Sequence, residues 1–272
     1  MTPNNPTGAR QWPTVVFSIL VLFFLLLPTL VVVPVSFGSE KYLQFPPTAL
    51  SLKWYRAYFA DQEWMASTVF SVTVAVCSAL VGILITLPAT LALARGHVPG
   101  GGLLKGLILA PMIIPHIVVA VGLYITFARW GINGTYLGFI AAMSVLCVPY
   151  LFLTLSAAVS KLDPSLEMAA ANLGAGKFNI FRLVTVPLLL PAIAGGMAFA
   201  FITTLDEAVV ANFLSSSRAK PIMKKMFEDI DFDVSPVIAA VSTLILVSSL
   251  TLIGLAQLFA KLKGGSKPTA VL

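Results

Sequence analysis

Six long apolar runs separated by short polar stretches set the frame of this chain. They cover Pro13–Phe37, Ser67–Ala94, Leu103–Phe127, Ile132–Val159, Leu183–Leu214 and Val234–Ala260. A helix crossing the hydrocarbon core of a bilayer needs roughly 20 apolar residues, and each run reaches that length. None alternates polar and apolar residues over about ten positions, as the strands of a membrane barrel do. The pattern predicts an all-α, polytopic protein with six transmembrane helices in a lipid bilayer. The fifth run, at about 32 residues, exceeds a single straight span. Pro187, Pro191, Gly195 and Gly196 offer places to bend it. The first run outlasts the roughly 7–15-residue apolar core of a cleaved signal peptide, so it reads as a retained span.

One polar interruption stands out: "SKLDPSLEMAAANLGAGKFNIFRLVTVPLLLPAI", from Ser160 to Ile193. Asp163 suits an N-cap and Pro164 the first helical position. Gly174 suits a C-terminal stop, where a left-handed conformation costs glycine no Cβ strain. The helix so bounded, at about 163–174, is too short to cross a bilayer. Lys161 and Lys177 flank it, which places it on the cytoplasmic face. Ala169, Ala170 and Ala171 keep it slim enough for another protein to approach its backbone closely.

Composition narrows the class. The 272 residues are 58% hydrophobic and 10% charged, with a mean hydropathy of +0.95, against about a quarter charged in soluble domains. The chain carries a net +6, but no lysine–arginine cluster lies on a soluble domain where it could track phosphates, so nucleic acid is not expected. Lysines and arginines divide almost evenly between the two sides. The basic "KLKGGSK" near the end is the cleaner sign, and six spans return it to the side of the N-terminus. The expected organisation is a cytoplasmic tail at 1–12, a six-span transmembrane domain at 13–260 and a basic cytoplasmic tail at 261–272. Cys77 and Cys147 lie inside apolar runs and are expected as free thiols.

Catalytic chemistry is missing. There is no HExxH and no GxSxG. His97 and His116 have no ligand-spaced partner, so neither a metal nor a cofactor is expected in this chain. "NLGAGKF" departs from a phosphate loop at both ends. Ala171 stands where the first glycine is needed, and Phe178 where a serine or threonine would hold magnesium. ATP and its magnesium, if they drive transport, belong on another subunit.

The interrupting stretch resembles the cytoplasmic signature of bacterial ABC importer permeases of the binding-protein-dependent class. That signature runs E-A-A, three residues, G, nine residues, I-x-L-P. Gly174 aligns with its glycine, Ala169 and Ala170 with its alanines, and Val184 to Pro187 with its last four positions. Met168 takes the glutamate position, and Glu167 precedes it by about 100° of helical turn. The resemblance implies a coupling helix that sits in a cleft of an ATPase subunit, with Glu167, Ala169, Ala170, Gly174 and Pro187 as its residues. "LSLKWYRAYF", "GLILAPMIIPHIVVAVGLY" and "TTLDEAVVANFLS" further resemble the permease subunits of spermidine/putrescine importers. The implied partners are a second related permease, two ATPase subunits and an extracytoplasmic binding protein, in a bacterial inner membrane.

The same resemblance places an acidic pair, Asp206 and Glu207, in a cation pathway, with Thr204 beside it. Carboxylates at membrane depth are usually functional, although both also suit the water interface or pairing with Arg218 or Lys220. Trp54 and Tyr58 read equally as cation–π faces for an amine and as an interfacial belt. His116 stands where polyamine permeases often have an acid. It reads as a neighbour for an anionic end on the substrate or as a packing histidine. The expected substrate is a polyamine or related small amine, with an amino acid or other zwitterionic amine such as GABA as the alternative. A secondary carrier would show an internal repeat, which is not evident.

Overall fold

The computed structural model describes residues 12–96, 98–217, 219–232 and 235–264. The N-terminal tail, most of the basic C-terminal tail, His97 and Arg218 lie outside the described residues. In chain order the helices are α1 (Trp12–Ser36), α2 (Lys53–Ala60), α3 (Gln62–Ala94), α4 (Gly101–Ile113), α5 (His116–Trp130), α6 (Tyr136–Val159), α7 (Pro164–Asn172) and α8 (Lys177–Ile180). A π turn at Phe181–Thr185 follows, then α9 (Val186–Asp206), α10 (Val209–Leu214), α11 (Ile222–Phe232) and α12 (Val237–Gly264). Among the described residues there is no strand beyond one isolated bridge, Gly38 to Leu50.

Two compact units divide the chain. The first comprises Met1–Asp61 with Asp229–Leu246, the second Gln62–Glu228 with Val247–Leu272. In the first, α1 buries only Val35 and Ser36. A helix apolar on every side and left uncovered suits immersion in lipid. Ser36 lies 2.7 Å from the Tyr55 hydroxyl and Phe37 packs on the Tyr55 ring, which fixes α2 beneath the end of α1.

The second unit is built on α3, α6 and α9, which pack against one another. Small residues set the spacing. A Cβ on Gly82 of α3 would lie 2.7 Å from Leu151 Cδ1, and one on Gly196 of α9 would lie 3.2 Å from Leu151 Cδ2. The two glycines thus form a slot for the wholly buried Leu151 of α6. Ser78 donates across the interface to the Ile140 carbonyl at 3.2 Å. Close approach over small residues, with hydroxyls bonding across, is how helices associate where lipid removes the hydrophobic drive.

Two apolar runs depart from the sequence expectation. The third is not one straight span: α4 and α5 meet at an angle of 101°. Pro115 has no N–H to offer the Pro111 carbonyl, and Ile114 before it is extended (φ −74°, ψ 134°). Among the described residues five helices are therefore long and apolar enough to cross a membrane, or six if the bent pair counts as one span. The fifth run is unbroken through Pro187, Pro191, Gly195 and Gly196, from Lys177 to Asp206. The π turn directly before α9 takes up the ring and missing donor of Pro187, and Gly196 serves packing. The break comes later, at Glu207.

Candidate functional site

The two breaks meet. α5 packs on α10, which brings His116, the first residue after the α4–α5 bend, to Glu207, the first residue after α9. His116 Nδ1 lies 2.9 Å from Glu207 Oε2. The other oxygen, Oε1, accepts the backbone N–H groups of Val209 and Val210, both at 3.0 Å. Glu207 thus caps the first turn of α10 from outside it, and its side chain is only 7% exposed. A buried carboxylate needs partners on its oxygens, and both of these have them.

Asp206 differs. It ends α9, is exposed, and has no hydrogen-bond or ion-pair partner among the described residues. Thr204, two residues before it, is buried. Lys220, a candidate partner for the acids, is engaged elsewhere: its ammonium lies 2.6 Å from Glu63 and 2.8 Å from Glu228. Lys225 joins the same network at 3.0 Å from Glu63. The Glu228 and Glu63 carboxylates hold the Lys220 pKa above its ordinary value. Burial works to raise the Glu228 pKa, but Lys220 and Lys224 together outweigh it and keep that carboxyl low.

Trp54 and Tyr58 belong to the first unit. The Lys53 ammonium sits over the Trp54 ring, 4.5 Å from its centroid, so one face of the indole already holds a cation. Tyr58 is buried, with its ring edge-on to Phe59 at 4.9 Å.

The short helix forms as its punctuation predicts. Asp163 accepts the Ser165 N–H at 2.9 Å, and that bond, with the Ser165 hydroxyl, lowers the Asp163 pKa. Gly174 takes φ +84°. Its N–H bonds the Ala171 carbonyl and the Ala175 N–H the Ala170 carbonyl, the paired closure of a Schellman stop. No residue of α7 is buried, and Leu166, Met168, Ala169 and Leu173 are all exposed. Glu167 points the other way. It pairs with Arg95 at the end of α3 and accepts the buried Thr185 hydroxyl at 2.6 Å. The exposed face therefore carries Met168, while Glu167 ties the helix to α3 and to the π turn before α9. Pro187 is exposed at the start of α9. A cavity of about 780 Å³ lies behind α7, with Arg95, Lys105, Asp163 and Glu167 among its polar lining.

Sequence reasoning missed Arg95 and Thr185. Arg95 closes a long apolar run, the single available signal, and Thr185 looks like filler inside the I-x-L-P segment. Among the described residues no group of three or more histidines, cysteines or acids is placed to hold a metal.

Comparison with known proteins adds to this geometry. The family described as "Binding-protein-dependent transport system inner membrane component" matches residues 82–264. The putrescine transport system permease protein PotI of Escherichia coli (strain K12) is 30% identical over 250 residues, covering 89% of this chain and 88% of that protein. The spermidine/putrescine transport system permease protein PotC of Haemophilus influenzae is 29% identical over 245 residues, covering 90% and 95%. Among solved structures, a bacterial ABC transporter involved in the import of the acidic polysaccharide alginate superposes with a TM-score of 0.74 at 17% identity, over 94% of this chain and 99% of that one. An inward-facing MetNI methionine ABC transporter gives 0.57 at 17% identity, over 74% and 96%. The structural likenesses establish the fold.

Proposed function

The chain belongs to the family of binding-protein-dependent transport system inner membrane components and is a permease subunit of an ABC importer, and from that premise we propose that it carries polyamines, putrescine or spermidine, or related small organic amines inward past Asp206. The two relatives named for putrescine and spermidine support the substrate class. The observation that carries the site is the contrast between neighbours: Glu207 is bonded on both oxygens, and Asp206 is exposed at a helix break with its charge unspent. An amine leaving a binding protein sheds water, and a carboxylate within bonding reach compensates. A lone carboxylate at membrane depth costs about 2.5–3.5 kcal/mol on insertion scales, which a cationic substrate offsets.

The partners we propose are a second, related permease, two ATPase subunits that receive the exposed face of α7, and an extracytoplasmic binding protein. ATP and magnesium act on the ATPase subunits. Both termini then lie in the cytoplasm. A solved structure of similar fold, a bacterial alginate ABC transporter in complex with an alginate pentasaccharide-bound periplasmic protein, supports this kind of assembly. The test is Asp206→Asn in the full transporter, reconstituted in proteoliposomes with its binding protein. Putrescine uptake is expected to fall at least about tenfold, the loss of one charge-assisted contact, while the subunits still co-purify. Wild-type uptake by this variant removes Asp206 from the pathway.

A further inference from the structure

Charge accounting at the meeting of the two breaks gives His116 a role of its own. Three contacts hold Glu207: the N–H groups of Val209 and Val210 on one oxygen, and His116 on the other. With Nδ1 only 2.9 Å from a carboxylate oxygen, the imidazole must present a proton there, because two lone pairs face to face repel. The side chain of His116 is 38% exposed while that of Glu207 is 7%, so the imidazole is the more open member of the pair. Without it, Oε2 would be left with no partner among the described residues. The break would then carry an open oxygen on Glu207 beside the unpaired Asp206, with Oε1 still held by Val209 and Val210.

We propose that His116 is a specificity-determining residue: by occupying Glu207 it leaves Asp206 as the single unpaired acid of this break, and so biases transport toward amines that present one cationic group over diamines. The inference rests on Asp206 as the pathway acid, and within the proposed amines it narrows the preference from polyamines toward those with a single cationic group. His116 acts through Glu207 and is in that sense a positioning residue. Two adjacent carboxylates that each offer an open oxygen suit two ammonium groups. One free carboxylate beside a polar imidazole suits an ammonium whose other end is neutral or anionic, as in an ω-amino acid.

The experiment uses the complete transporter in proteoliposomes and reads the ratio of putrescine to γ-aminobutyrate uptake at saturating binding protein. His116→Ala releases Glu207, and the ratio should rise about tenfold, the worth of one added charge-assisted contact. His116→Asn, whose amide nitrogen stands near the place of Nδ1 and still donates to Oε2, should keep the wild-type ratio. The double variant His116→Ala/Glu207→Gln should return to it, because the freed charge is gone. A merely structural histidine would lower both uptakes together and leave the ratio unmoved in all three, which overturns the inference. In that event a loss of uptake in Asp206→Asn keeps the pathway reading standing. If wild-type protein moves neither amine, the reading falls and the inference with it.

Discussion

Asp206 and Glu207 are neighbours with opposite surroundings, and the reason is where α9 stops. Glu207 leaves helical geometry (φ −76°, ψ 100°), so its side chain folds forward onto the N–H groups of α10. Glu207→Ala leaves two N–H groups without an acceptor, the one at Val210 buried. It should lower the stability of the purified complex by about 1–3 kcal/mol, read as an earlier thermal unfolding in detergent. Glu207→Gln keeps an acceptor oxygen and should cost less; equal losses would mean that charge and not bonding holds the turn. The acidic pair was legible in the sequence as a pair. Which acid is spent was not. On a continuous helix two adjacent residues diverge by about 100°, whereas here the decisive event is the helix end, and the prolines had pointed to earlier positions.

At the scale of elements, local chemistry was legible and cooperative adjustment was not. The start and stop of α7 depend on Asp163, Pro164 and Gly174 alone, and all three act as expected. Prolines behaved unequally because their effect depends on the turn behind them. Pro187 follows a π turn that absorbs it, and Pro115 follows an extended Ile114 and breaks the run. The orientation of Glu167 needed its distant partners, Arg95 and Thr185, which lie 72 and 18 residues away. The outward face of α7 then gives a direct test of docking. Ala169 is exposed, so Ala169→Arg leaves α7 itself intact and adds bulk where a partner would approach. Co-purification of the ATPase subunits should drop at least about tenfold, the scale of a hot-spot residue of 1.4 kcal/mol or more. Undiminished recovery would exclude this face from the contact.

At the scale of the molecule, polar networks pin the ends of the long helices. Lys220 joins Glu63 at the start of α3 to Glu228 on α11. The low Glu228 pKa makes its contribution complete above its ordinary 4.5, and it is lost as pH falls through the lowered value. The raised Lys220 pKa makes its contribution complete below its ordinary 10.5, and it is lost as pH rises through the raised value. The joint should therefore hold across the window between 4.5 and 10.5. Trp64, buried near Lys225, reports on it. With the other three tryptophans replaced by phenylalanine, its emission should stay constant inside the window and shift to the red outside. A flat response beyond both limits would leave the joint without weight.

The slot around Leu151 has a dynamic consequence. A knob gripped from both sides works as a spline: α3, α6 and α9 cannot slide or roll past one another without expelling it. They should travel as one rigid body when the pathway changes the side to which it opens, leaving the elbow at Pro115 to flex. Spin labels on α3 and α9 should keep their separation through the ATP cycle, while a pair across α4 and α5 changes. Gly82→Ala, which drives a methyl to within 2.7 Å of Leu151 Cδ1 and 2.9 Å of Cys147 Sγ, should strip the spline. An overpacked interface of this kind costs about 1–3 kcal/mol, and the separation between α3 and α9 should broaden.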